Sequence, residues 1–455
     1  MTALNSGSFY QDTIAAIATA PGRGGIGVIR LSGDQAKTIA QALTHRRTLT
    51  PRYAHYTSFH DDHRVIDDGI AIFFPGPHSF TGEDVVELQG HGGPVILQLL
   101  LRRCFDLGAR QARAGEFSER AFLNDKLDLV QAEAIADLIN AQTATAARQA
   151  QASLRGAFSD AIDDVRQQLV TLRKYVEAAI DFPEEEIDFL SEGRVTQQLN
   201  TLLNTAKTLR ANAKQGAIFR SGATVVLAGR PNAGKSSLLN ALAGDQVAIV
   251  TDVPGTTRDV VRQHVEIDGV ALHLTDTAGL RDSDDAIEQE GIKRAQRAIS
   301  EADLTIHLID DNDPHARAVE LPDTNNLLTV LTKIDLSGRP DGVISSEISP
   351  ASTPAVAISS KTGAGLSELK KVILTIIGVD GAGNTLFSAR ERHLLALDSC
   401  LTTLERAEDQ FLSSGAGELL AEDLRRAHDQ LGEITGRMTS DELLGEIFSS
   451  FCIGK

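Results

Sequence analysis

The sequence predicts a multidomain chain: an α+β N-terminal domain, a discontinuous all-α helical domain, and an α/β P-loop module inserted in the helical one. Three features lead to this. Short β-like runs alternate with glycine- and proline-rich turns up to about residue 120. An apolar strand, a glycine-rich string and an apolar helix then follow one another from "ATVVLAG". Helical text with the same apolar spacing of three and four stands on both sides of that module.

Taken in order, "TIAAIATAPGRGG" reads as a strand entering a glycine turn, and "GIGVIRLSG", "GIAIFFPG" and "DVVELQG" as further strands. Long amphipathic helices run from "GEFSERAFLNDKLDLVQAEAIADLI" to about Ala213, and "KQGAIFRSG" leads from them into the α/β module. Helices return in "RERHLLALDSCLTTLERAEDQF" and "GELLAEDLRRAHDQLGEIT". The expected limits are 1–120, 121–215, 216–380 and 381–455, the second and fourth segments forming one helical domain. An insertion of this kind requires the two ends of the module to lie close together.

At 455 residues the chain exceeds a single ordinary core. Three cysteines cannot build a disulfide framework, the N-terminal stretch lacks the basic flank of a secretion signal, and no apolar run is long enough to span a membrane. A cytosolic protein is expected. A formal charge of −18 argues against coating nucleic acid through a general positive field, so any RNA contact must be local or supplied by a partner.

"GRPNAGKS" fits G-x-x-x-x-G-K-[ST]. Gly229 and Gly234 let backbone N–H groups of the Asn232–Ala233–Gly234 turn face phosphate, Lys235 reaches the β- and γ-phosphates, and Ser236, followed by Ser237, offers a hydroxyl to Mg²⁺. In "TDVPGTTRD", Thr257 can close on Mg²⁺; in "LTDTAGL", Asp276 can hold the metal through water, and Thr277 and Ala278 lead to Gly279, whose N–H suits the γ-phosphate. "LTKID" brings Thr332, Lys333 and Asp335, a carboxylate able to accept two hydrogens from guanine but not from adenine. "SSKTG" supplies backbone from Ser359, Ser360 and Lys361 to the base carbonyl. These ordered elements make a GTPase. Leu280 stands where Ras-like switches place a water-orienting glutamine, so another group must do that work. Asn232 has an amide oxygen able to coordinate a monovalent cation, which could neutralise transition-state charge.

With these motifs, and with "FPGPHSFTGEDVVELQGHGGPV", "AAIDFPEEEIDF" and the C-terminal "DELLGEIFSSFCIGK", the chain resembles the MnmE (TrmE) family of tRNA-uridine modification GTPases over nearly its whole length. The resemblance implies a folate-binding N-terminal domain that forms a homodimer, a split helical domain, and an inserted Ras-like G domain. It implies K⁺ at Asn232, Thr251, Val253 and Thr256, Mg²⁺ at Ser236 and Thr257, a water-orienting role for Glu288 and a supporting one for Arg281. A tetrahydrofolate one-carbon derivative, 5-formyl or methylene, would meet Arg30, Glu87 and Lys126, with Lys455 closing over it. The implied product is an aminomethyl or carboxymethylaminomethyl group on C5 of the wobble uridine. It is made with an FAD-carrying flavoprotein, MnmG (GidA), in a heterotetramer-like complex that supplies much of the tRNA-binding surface. Thr332 departs from the family's asparagine, which predicts weaker guanine affinity.

Cys452 stands fourth from the end, but "CIGK" lacks the aliphatic residues and polybasic run that accompany prenylation. From the residues alone a structural thiol and a working one remain equally open; the resemblance places Cys452 near the folate pocket as a catalytic candidate. "HYTSFHDDH" reads as a polar surface turn rather than a metal site. The rival reading of the whole chain is a regulatory or assembly GTPase whose outer domains only bind partners.

Overall fold

The computed structural model describes residues 12–181, 194–244, 262–276, 296–313, 324, 326–344, 354–379, 386–437 and 441–454. They form two compact units, residues 1–136 with 432–455 and residues 137–431.

The first unit contains β1 (Ile14–Ile17), β2 (Gly27–Ser32), α1 (Ala36–Thr44), β3 (His55–His60), β4 (Val65–Phe74), β5 (Val85–Gly90), α2 (Pro94–Asp106), β6 (Arg110–Gln111), α3 (Glu116–Leu123) and the start of α4 (Leu129–Asn140). Its sheet runs β3-β4-β5-β2-β1-β6, antiparallel except for the parallel β1–β6 pair. The period of two along each strand decides which face a side chain joins. Ile29, Leu31, Val86 and Leu88 go to the face covered by α1 and α2, where they meet Ile39, Leu43 and Leu100. Ile14 and Ala16 go to the other, with Phe117 of α3 and Phe80. Arg30 and Glu87 stand opposite one another in the β2–β5 register and share that second face.

The "HYTSFHDDH" stretch is mostly a strand, not a turn. His55–His60 pair with β4 because Phe59 is wholly buried in the core, and only Asp61 to Arg64 turn, held by the Asp61 carboxylate accepting the backbone N–H groups of His63 and Arg64. Among the described residues no group of His, Cys, Asp and Glu is arranged to hold a metal.

The second unit contains α5 (Ala144–Leu154), α6 (Ala157–Asp181), α7 (Arg194–Ser221), β7 (Ala223–Ala228), α8 (Lys235–Ala243), β8 (Arg262–Ile267), β9 (Val270–Asp276), β10 (Leu304–Asp310), β11 (Leu327–Thr332), α9 (Ile334–Ser337), β12 (Gly342–Ile344), β13 (Ala355–Ala357), α10 (Leu366–Ile376), α11 (Glu391–Ser414) and the body of α12 (Gly417–Thr435). α7 continues past Ala213 to Ser221, only one residue short of β7. The reason is packing: Leu209, Ala213, Gly216 and Phe219 continue one buried stripe along the helix. α13 (Asp441–Ser449) returns to the first unit, where Ile447, Phe448 and then Phe451 pack on Leu129, Ala132 and Ala136.

The α/β sheet runs β12-β13-β11-β10-β7-β9-β8, with parallel central strands and the antiparallel pairs β12–β13 and β8–β9. Its central strands are rich in apolar residues and buried along nearly their whole length, as coverage of both faces demands. The chain enters and leaves this sheet at one place. Asp137 accepts from Arg390 at 2.6 Å and from Arg220 at 3.4 Å, and Arg220 also donates to the Ala389 carbonyl at 3.1 Å. Beside them the buried Ser153 hydroxyl accepts the Ser388 N–H at 3.0 Å. Among the described residues no helix is long and apolar enough to cross a membrane.

Candidate functional site

β7 ends at Ala228 and the chain turns through Gly229 to Gly234 into α8. Gly229 has φ 146°, and a Cβ there would lie 2.5 Å from the Leu308 carbonyl oxygen, so only glycine lets the loop pass β10. Asn232 holds φ 65°, which turns the following N–H groups toward the start of α8. Lys235 is nearly buried, and its ammonium donates to the Gly229 and Arg230 carbonyls at 2.9 and 3.0 Å. The loop thus presents N–H groups, an ammonium and a helix N-terminus to one spot, a cradle for a polyphosphate. Ser236 and Ser237 are exposed on the first turn of α8.

The guanine strings meet this loop from the next strands. The buried Thr332 hydroxyl donates to the Ala233 carbonyl at 2.8 Å. A hydroxyl therefore joins this string to the P-loop at the position where the resembled family has an asparagine. Lys333, at φ 60°, pairs with Asp310 at 2.7 Å. Burial opposes the charge on Asp310, but hydrogen bonds from Lys333 and Asn312 outweigh it and hold the carboxyl below its usual range. Asp335 is exposed at the start of α9, and the Ser359 hydroxyl donates to its Oδ1 at 2.7 Å, fixing the plane of the carboxylate. Ser360 is half-buried and Lys361 exposed in the following turn. β9 ends at Asp276, the first residue of the "DTAG" string. Thr251, Val253, Thr256, Thr257, Thr277, Ala278, Gly279, Arg281 and Glu288 lie outside the described residues, as does Lys455.

In the first unit, Arg30 and Glu87 form an ion pair at 2.9 Å and line a cavity of about 180 Å³ with Arg52, Phe74, His78 and Phe80. Sequence reasoning missed Arg52 and His78. Their signal is weak, because Arg52 reaches the cavity only through a left-handed backbone at φ 57°, and its guanidinium donates to the His78 carbonyl. The loop beneath Phe80 is held by an ionic cluster. Arg120 is fully buried and pairs with Glu83 at 3.0 Å, Asp12 at 2.9 Å and Glu116 at 3.3 Å, and Glu83 also accepts from Ser32 at 2.7 Å. Glu116 is held below its ordinary range: burial opposes ionisation, but hydrogen bonds from Arg110 and the Arg113 N–H prevail. Lys126 is exposed and lines a neighbouring cavity of about 410 Å³ with Asp125, Asp128 and Arg437, its stem 3.4 Å from where a Cβ on Gly82 would stand. The structure thus brings Arg30 and Glu87 together, and sets Lys126 one loop away.

The C-terminal tail is pinned to this unit. The Cys452 carbonyl accepts the Gly115 N–H at 3.3 Å, Ile453 bridges Ala114, and Gly454 rests on Ile17 at the end of β1. α3, which starts after Gly115, carries Phe117 against the Arg30 guanidinium at 5.9 Å. Cys452 is exposed, whereas Cys104 and Cys400 are buried, and burial pushes both their thiols up to about 12.

Two family models match the chain: "GTP-binding protein TrmE N-terminus" over residues 13–126 and "MnmE helical domain" over residues 129–452. The tRNA modification GTPase MnmE of Pseudomonas fluorescens (strain Pf0-1) is 54% identical over 456 residues, covering 98% of this chain and 99% of that protein. The protein of the same name from Pseudomonas entomophila (strain L48) is 55% identical over 456 residues, with the same coverage of 98% and 99%. Among solved structures, the G domain of the T. maritima FeoB iron transporter is 30% identical, covering 34% of this chain and 98% of that one, with a TM-score of 0.26.

Proposed function

The chain belongs to the MnmE family of tRNA modification GTPases, and from that premise we propose that it is the GTP-hydrolysing component of an enzyme that builds an aminomethyl or carboxymethylaminomethyl group on C5 of U34. The observation that carries the reading is the Arg30–Glu87 pair, set face to face in the floor of one cavity and remote in sequence from the P-loop. A module that only switches has no use for it.

In this reading the P-loop amides and Lys235 hold the β- and γ-phosphates, Asp276 would hold the metal through water, and the Gly279 N–H would meet the γ-phosphate. Asp335 accepts from the guanine edge. Ser236 and Thr257 would hold Mg²⁺; Asn232, Thr251, Val253 and Thr256 would hold K⁺. These oxygen donors suit such hard cations, whose charge offsets that growing on the phosphate oxygens. Glu288 orients the attacking water and Arg281 supports it. In the first unit the Glu87 carboxylate can accept two hydrogen bonds from a pterin's amino-pyrimidinone edge, beside Arg30 and above the aromatic rings. The tetrahydrofolate derivative, 5-formyl or methylene, supplies the one-carbon unit when bound. Lys126 and Lys455 meet its tail carboxylates. Cys452, exposed on the pinned tail, is the catalytic candidate of this unit.

The protein acts as a homodimer in the cytoplasm, with an MnmG-type flavoprotein that carries the FAD and most of the tRNA-binding surface; the net charge of −18 fits that division of labour. The proposed domain limits are 1–120, 121–215, 216–380 and 381–455.

The test is nucleoside mass spectrometry of tRNA from cells lacking this gene, complemented with wild type or with Glu87→Gln. Missing C5-modified wobble uridine, restored only by wild type, is the expected result. Unaltered modification in the deletion, or full rescue by Glu87→Gln, would leave a regulatory or assembly GTPase. Calorimetry with 5-formyltetrahydrofolate on the full-length protein checks the pocket directly.

A further inference from the structure

The β8–β9 hairpin lies between the strings that face the nucleotide phosphates: β8 opens at Arg262, just after "TDVPGTTRDVV", and β9 closes on Asp276 of "DTAG". It is fixed to the helices at two points. The first is its tip, the Asp268–Gly269 turn, where both residues have positive φ, 48° and 87°. The Gly269 carbonyl accepts from the Thr143 hydroxyl at 2.8 Å. The same hydroxyl oxygen accepts the Ala146 N–H at 3.1 Å and so caps α5. Thr143 is buried, and a Cβ on Gly269 would overlap the Thr145 hydroxyl, so the tip is set into the first turn of α5.

The second point is His273. It faces His264 across the hairpin with their Nδ1 atoms 2.8 Å apart, and its Nε2 lies 3.0 Å from the carbonyl of Ser221, the last residue of α7. A carbonyl only accepts, so Nε2 of His273 carries the hydrogen, and in neutral rings its Nδ1 accepts from Nδ1–H of His264. The hairpin therefore contacts α5 through a hydroxyl and α7 through an imidazole, and can shift only by loading one of those bonds.

We propose that the β8–β9 hairpin shifts with the nucleotide bound and that Thr143 is a positioning residue that passes this shift to α5, with His273 holding the hairpin to α7. This rests on the function proposed above and adds to it that hydrolysis in the P-loop module drives a conformational step elsewhere in the chain. The chemistry of a hydroxyl that donates and accepts at once makes the role separable from helix capping. Thr143→Ser keeps both bonds. Thr143→Asp still caps α5, since a carboxylate accepts from an N–H, but it has no hydrogen to give the Gly269 carbonyl.

The experiment is hydrogen–deuterium exchange over α5 and the last turn of α7 in the full-length protein, with GDP and then with a non-hydrolysable GTP analogue, alongside GTPase kinetics. In wild type and Thr143→Ser the exchange rates in α5 should differ by about 5- to 10-fold between the two nucleotides. In Thr143→Asp that difference should fall below about twofold while the kcat for GTP stays within about twofold of wild type. A nucleotide response in Thr143→Asp equal to wild type, its loss in Thr143→Ser, or no response in wild type would each overturn the proposal. None of these readouts involves folate or tRNA. Absent C5 modification by the wild type would therefore reject the reading of the first unit and leave the hairpin result standing.

Discussion

Thr332 and Ala233 lie 99 residues apart in the chain and are joined by a hydrogen bond of 2.8 Å, the hydroxyl of β11 donating to a P-loop carbonyl. The "LTKID" string and the P-loop are thereby held at a set distance. Replacing Thr332 with Val keeps the shape and strands the buried carbonyl, which should weaken GDP and GTP binding about 5- to 10-fold with little change in kcat. Thr332→Ser should bind like wild type. Fluorescent-nucleotide titration decides it, and equal affinity for the Val variant would show that the bond contributes nothing to the site.

Asp335 is fixed by Ser359 at 2.7 Å, which holds its carboxylate in one plane, as the proposed contact with guanine requires. An Asp335→Asn change replaces an acceptor by a donor. Affinity for GTP should fall by at least about 100-fold, because two charge-assisted bonds are lost, while xanthosine triphosphate, with an acceptor at that edge, should now bind. Competition calorimetry with both nucleotides is the check.

Asn232 takes a left-handed backbone at φ 65° at the mouth of the P-loop. Hydrolysis should run faster in K⁺ than in Na⁺, and Asn232→Ala should abolish that preference. Equal wild-type rates in the two salts would remove the cation from the mechanism. Glu288→Ala should lower kcat at least about 10-fold with nucleotide affinity unchanged. Lost affinity instead would assign Glu288 a structural role.

The thiols differ in exposure. Cys104 and Cys400 are buried and pushed up to about 12, so neither is a thiolate near neutrality. Cys452 is exposed. A disulfide reagent at pH 8 should therefore label one cysteine per chain quickly, and Cys452→Ser should eliminate that phase. Persisting fast labelling in Cys452→Ser would mean that the buried thiols open.

Acid should loosen the first unit through Glu116. Its folded pKa lies below the ordinary 4.5, so the stabilisation it provides is present above 4.5 and is lost as pH falls through the folded value. Glu119 works in the opposite sense: burial first, then Glu116 beside it, raises its pKa, so its ionisation above 4.5 costs stability. Glu116→Gln should lower the melting temperature at pH 7 and flatten its decline between pH 5 and pH 3. An unchanged slope would place the acid-sensitive group elsewhere.

The P-loop turn was legible in the sequence because its geometry is local: Gly229, Gly234 and Lys235 shape it within a few residues of one another. Strands β2 and β5 were legible for a similar reason, their period of two being intact. What the sequence concealed depends on distant partners. Nothing near Arg120 announces Glu83 and Asp12, and Arg52 reaches its cavity only by an unusual backbone turn. The end of α7 was read eight residues early, at about Ala213 rather than Ser221, because Gly216 looks like a helix stop while its role is close packing beside the Phe387 carbonyl. The histidines of β3 were read as a turn because their polarity masked Phe59, the residue that pulls the strand inward.

The clasp at Asp137, where Arg220 and Arg390 meet, makes the nucleotide engine detachable in principle. A few residues of glycine-rich tether from Ser221 to Ala389 should replace everything between them and leave the helices aligned. Such a decapitated frame would let the helices and the first unit be studied without the P-loop module.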